Sequence, residues 1–140
     1  MDESTITRFV NTFIVKDRRE RLLHELTTPR KRYRGISRFC HRAKDLLDPA
    51  FLIAQSEDLE RLPAFRQFVR EHDGPCLLLS PYAWLDEEVM PLGMAVEQAV
   101  ICPDAVLILG DGFAVVFEEP QKGGRGRFWM SESPVRLLRD

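Results

Sequence analysis

Hydrophobic positions return with a helical period through the first half of the chain and as short continuous runs through the second, and the two patterns define the elements to expect. Behind Ser4 or Thr5 as a cap, Ile6, Phe9, Val10, Phe13 and Ile14 recur at helical spacing and predict a first short amphipathic helix. The register then breaks. Leu22, Leu23 and Leu26 would fall on the opposite face of a continuous helix, and Asp17 with Glu20 three residues later has the form of a capping box opening a second one, which Thr27-Thr28-Pro29 closes. A basic connector, Arg30-Lys31-Arg32-Tyr33-Arg34-Gly35, leads to the clearest pattern in the chain: Ile36, Phe39, Cys40, Ala43, Leu46 and Leu47, which at about 100° per residue share one buried stripe of a helix ended by Asp48-Pro49.

Residues 51–55 form a short apolar run bounded by turn formers. Leu59, Leu62, Phe65, Phe68 and Val69 then return to helical spacing, with Pro63 expected in the first regular turn and a looser turn before it. His72-Asp73-Gly74-Pro75 supplies the stop. Residues 76–80 read as a buried strand, 91–101 as a helix with proline near its start, and 105–109 as another strand. Gly110-Asp111-Gly112 between two apolar runs is a hairpin signal, and a second connection over residues 120–126 leads to a last strand at 127–131. Helices first, then strands and helices, then a C-terminal hairpin meander make the fold class α+β: N-terminal helices packed on one face of a mostly antiparallel sheet of about four or five strands. One domain over residues 1–140 is the expectation for this length.

Composition narrows the class without reaching a function. The chain is 44% hydrophobic and 30% charged, and no apolar run approaches the roughly 20 residues of a membrane span. The acidic start Met-Asp-Glu-Ser-Thr lacks the basic and then apolar order of a secretory signal, and the 3 cysteines are few and widely spaced, so the cytoplasm is the expected location. Charge is strongly segregated. Residues 16–44 carry eleven basic side chains against three acids, a local net of +8, whereas residues 45–140 carry 8 against 17, a net of −9; the overall −2 conceals two opposed halves.

Each candidate chemistry has a structural counterpart. Cys40 has Arg38, His41 and Arg42 beside it, the positive surroundings a nucleophilic thiolate needs, but its place in the apolar arc turns it toward the core and away from His41. Cys40, His41, His72 and Cys76 could be recruited to a metal, yet adjacent helical residues rarely converge on one ion and the spacing is not that of a zinc site, so no metal or other cofactor is expected. The carboxylates of Asp86-Glu87-Glu88, Asp111 and Glu118-Glu119 fall in turns and strand ends, where solvated charge is the ordinary outcome. No catalytic motif orders these groups, and catalytic residues are not assigned.

Two binding surfaces remain. Tyr82 and Trp84, in a loop between Ser80-Pro81 and the acidic triplet, are residue types that anchor interfaces, and Trp129 alternates with Phe128 and Met130 in a strand, one face of which is expected to meet solvent, ligand or partner. The basic set Arg30, Arg32, Arg34, Arg38, His41, Arg42 and Lys44 could read phosphates, with Tyr33 stacking on a base and Lys122-Gly123-Gly124-Arg125-Gly126-Arg127 as a second basic element. A −9 body and a pI near 5.9 oppose a nucleic-acid role. The sequence therefore points first to a non-enzymatic cytosolic protein-interaction module, with a protein partner that could be a second copy in a homodimer, and alternatively to a nucleic-acid-binding module; a membrane partner is not expected.

Overall fold

The computed structural model describes residues 3–120 and 125–133. Its elements are α1 (Glu3–Phe13), α2 (Arg19–Thr27), α3 (Pro29–His41), α4 (Ala43–Leu46), β1 (Leu52–Ser56), α5 (Pro63–Glu71), β2 (Pro75–Leu79), β3 (Val89–Pro91), α6 (Leu92–Ile101), β4 (Val106–Leu109), β5 (Phe113–Phe117) and β6 (Arg127–Ser131). The strands form one antiparallel sheet in the order β1-β6-β5-β4-β2-β3. The fold is α+β, with six strands where four or five were expected. Both additions are edge strands: β1 arises from the apolar run at residues 51–55, and β3 is three residues long and ends on Pro91, too short for a periodic signal.

Helices α1 to α4 cover one face, where Ile6, Phe9, Phe13, Leu26, Ile36 and Phe39 meet Leu77, Leu79, Leu107, Leu109, Val116, Phe128 and Met130. A second helical layer covers the other face. Phe65 and Phe68 of α5 and Leu92, Ala95 and Ala99 of α6 pack on Leu78, Ile108, Val115, Phe117 and Trp129. The sheet is the middle of three layers. None of the described helices is long and apolar enough to cross a membrane.

Local chemistry accounts for the boundaries. Pro63 opens α5 behind a 3-10 turn at Leu59–Arg61, as its ring requires. Gly112, at φ +82, closes the β4–β5 hairpin in a backbone conformation that favours glycine. Asp17 and Glu20 make no capping box: a 3-10 turn at Lys16–Arg18 precedes α2, whose start has no side-chain cap. The basic connector is a further departure. Pro29 stands in the first turn of α3 behind an extended Thr28, so residues 30–35 are helical, and the helix breaks at Arg42 rather than running on to residue 47.

Gly35 sits inside α3 because α2 lies against it. A Cβ at position 35 would stand 2.8 Å from the Glu25 Cβ. Alanine there brings a helix-propensity gain of about 1 kcal/mol but overpacks the crossing by roughly 1–3 kcal/mol. Gly35→Ala is therefore expected to lower stability by about 1 kcal/mol in urea unfolding; a more stable variant would contradict the close crossing.

Candidate functional site

The loop over residues 80–88, between β2 and β3, is built from side-chain and backbone hydrogen bonds. Ser80 Oγ donates to the Ala105 carbonyl at 2.6 Å and accepts from the Tyr82 N–H at 3.0 Å. The N–H groups of Leu85 and Asp86 donate to the Tyr82 carbonyl, and that of Glu87 to Leu78. Glu87 adopts φ +67, alone among the described non-glycine residues, in a region that costs an ordinary residue roughly 1–2 kcal/mol. The loop is thus held by its surroundings rather than by backbone preference.

Asp86 is its keystone. One carboxylate oxygen accepts from the Ser80 N–H at 3.1 Å, while the other accepts from Nε and Nη2 of Arg32 at 3.1 and 2.8 Å. Glu87 lies 3.5 Å from the same guanidinium. Arg32 is consequently buried, which corrects its expected place on a phosphate-reading surface: it ties α3 to the loop. No local signal announces a pair 54 positions apart.

Around this tie the aromatic residues divide. Leu85 is buried, Tyr82 is half-buried against the second core, and Trp84 stands 79% exposed, as does Tyr33 at 61% on α3. Trp129 does not reach the surface. The expectation that one face of its strand is open is corrected: α5 covers that face, with Phe65 and Phe68 rings 5.2 and 5.0 Å from the indole, and only 2% of Trp129 is exposed.

Along α3 and just beyond it, Arg30, Arg34, Arg38 and Arg42 follow one another at four-residue intervals, all exposed, with His41 and Lys44 exposed beside them. Arg38 pairs with Glu25 of α2 and Arg42 loosely with Asp45, at 4.0 Å. These pairs are local, so the basic row is not folded onto the acidic half. The second basic element is corrected. Lys122, Gly123 and Gly124 lie outside the described residues, and Arg125 and Arg127 are buried. Arg125 donates to the carbonyls of Glu118, Ala99, Val100 and Asp104, and both guanidiniums lie 5.2 Å from the centre of the Phe117 ring. Arg127 pairs with Glu60.

The remaining candidates are placed apart. Cys40 belongs to the core on one side of the sheet and Cys76 to that on the other, while His41 points outward. Burial, aided by Glu118 and Glu119, raises the Cys40 thiol pKa, and burial, with Asp73, pushes that of Cys76 up to about 11. Among the described residues no group of three or more His, Cys, Asp or Glu could hold a metal ion. A polar cleft of about 480 Å³ lies between α1, α5 and the β4–β5 turn. Its arginine is already engaged: Arg8 donates to both oxygens of Glu132 at 2.9 and 3.0 Å and to Asp111, hydrogen bonds that raise its pKa. His72 is held in the same cleft by its Nδ1 against the Phe68 carbonyl and by stacking on the Phe68 ring.

No family model, curated protein or solved structure compared with the chain matches it.

Two outcomes follow from this geometry. Asp86→Ala leaves a buried guanidinium with a weakened partner and is expected to cost about 3 kcal/mol, whereas Arg32→Met removes the charge itself and costs less; equal losses in urea unfolding would contradict the tie. Acrylamide is expected to quench one accessible tryptophan and spare one, with Trp84→Phe removing the accessible fraction. A single accessible population of both indoles would contradict the burial of Trp129.

Proposed function

We propose that the protein is a non-enzymatic interaction module that docks a protein partner through the loop over residues 80–88, with Trp84 as the anchor. The observation that carries this reading is a tryptophan 79% exposed on a loop whose backbone is fixed by Ser80 and Asp86. An indole can bury about 150–250 Å², yet here Leu85 takes the inward place beside it. A loop whose backbone is held in position before binding loses little further freedom on docking, and that saving appears as affinity.

The surroundings fit an interface centre with a polar rim. Tyr33 directly follows Arg32, the residue that joins α3 to the loop, and exposed Arg30 and Arg34 lie on the same helix as exposed Glu88 lies on the loop. Three buried free cysteines support a reducing, cytoplasmic setting. A second copy of the chain is one form the partner can take.

A nucleic-acid reading has its own support in the exposed row of Arg30, Arg34, Arg38 and Arg42. The two separate cleanly. Trp84→Ala is expected to fold with unchanged stability and to lose the partner retained by the wild-type chain in pull-downs, whereas replacing Arg34, Arg38 and Arg42 by alanine abolishes salt-sensitive binding of single-stranded RNA or duplex DNA only if the basic row reads phosphates. Retention of every partner by Trp84→Ala would overturn the first reading.

A further inference from the structure

We infer that the cleft between α2 and α3 receives one phosphate monoester dianion, carried on a segment of the protein partner. The identity of the carrier rests on the protein-partner reading above; the anion site rests on its own geometry. The cleft measures about 130 Å³, and four arginines, Arg18, Arg21, Arg38 and Arg42, are among the residues that line it, together with Leu22 and Phe39. The close crossing at Gly35 brings the two helices together beside it.

Two carboxylates, Asp17 and Glu25, share this space, so four cations against two anions leave a formal charge of +2. A phosphorylated side chain carries about −1.5 to −2 near neutral pH and three acceptor oxygens suited to forked guanidinium donors. A phosphodiester backbone carries about one negative charge per residue and distributes it along its length. Convergence of four arginines on one small cleft favours the compact dianion. The −9 of residues 45–140 repels a long polyanion more than a segment bearing a single phosphoryl group.

Glu25 gives the cleft its resting arrangement. Its side chain is only 12% exposed, pairs with Arg38, and lies 3.7 Å from Arg21, so an internal carboxylate holds these arginines toward the cleft and competes with any incoming anion. Arg18 makes no ion pair among the described residues, and Arg42 has only exposed Asp45 at 4.0 Å. A phosphoryl group can therefore engage Arg18 and Arg42 first and draw Arg38 and Arg21 from Glu25.

The test is NMR titration of the full chain with phenyl phosphate, following the arginine Nε–H signals, with a single-stranded oligonucleotide as the competing probe. Saturable binding of phenyl phosphate in the millimolar range is expected, weakened about tenfold by Arg38→Ala. Arg42→Ala, at an exposed position where folding is not at stake, is expected to weaken it as well. Glu25→Gln keeps the shape and removes the competing charge, and is expected to tighten binding about two- to fivefold. Arg30→Ala, outside the cleft, is expected to leave it unchanged. Absence of saturable binding, weaker binding by Glu25→Gln, or oligonucleotide binding that falls equally in Arg30→Ala and Arg38→Ala would each overturn the site. Because phenyl phosphate needs no partner, these outcomes are independent of the Trp84 pull-down.

Discussion

The inner strands of this sheet have no face open to water, and the arrangement of the helices depends on that constraint. An antiparallel sheet with one wet face alternates apolar and polar residues, whereas β4, β5 and β6 are buried at every position. Leu77, Leu79, Leu107, Leu109, Ala114, Val116, Phe128 and Met130 turn to one side and Leu78, Val106, Ile108, Val115, Phe117 and Trp129 to the other. At roughly 1.5–3 kcal/mol for each large apolar side chain, leaving either face in water would forfeit an amount comparable to the roughly 5–15 kcal/mol by which a domain is stable at all. Two helical covers are the consequence.

Each cover then sets what the surface offers. α3 turns Ile36, Phe39 and Cys40 inward, and the helical period leaves its arginines outward. α6 turns Leu92, Ala95, Val96 and Ala99 inward, but Glu97 is its only charged residue, so Met94 and Ile101 stand exposed. The C-terminal end of α6 is joined to the region before β6 by Arg125, which satisfies the Ala99 and Val100 carbonyls where a helix end is left with unpaired acceptors. Burial lowers the pKa of that guanidinium, and the carbonyls and the Phe117 ring offset the loss of water.

Periodicity was legible wherever one face of an element is buried: the apolar arc of Ile36, Phe39, Cys40 and Ala43, the Pro63 helix start and the Gly110-Asp111-Gly112 hairpin all appear where the pattern puts them. The second helical layer was harder to read, because a continuous apolar run such as residues 113–117 shows burial without showing what covers each side. Residues 30–35 resembled a connector because basic residues and Gly35 mask helical propensity, and the reason for glycine is the Glu25 Cβ against it rather than a turn. In the candidate site, the exposed aromatic at Trp84 was legible from its loop setting. The Arg32–Asp86 tie was not, since it joins distant segments, and neither was the burial of Trp129, which depends on Phe65 and Phe68.

The charge segregation survives folding because packing outweighs it. Opposed regions of +8 and −9 attract, yet an exposed ion pair is worth only about 0–1 kcal/mol, less than burying one of the apolar side chains beneath α3. Orientation of that helix is therefore decided by Ile36 and Phe39, and its arginines face water whatever charge lies across the molecule. Arg32 is the instructive exception. Desolvating a guanidinium costs several kcal/mol unless its donors are met, and here Asp86 accepts two of them and Glu87 adds charge. Without such a partner on the sheet side, Arg18 and Arg42 are most stable at the surface, where an anion from outside can complete what the fold itself does not.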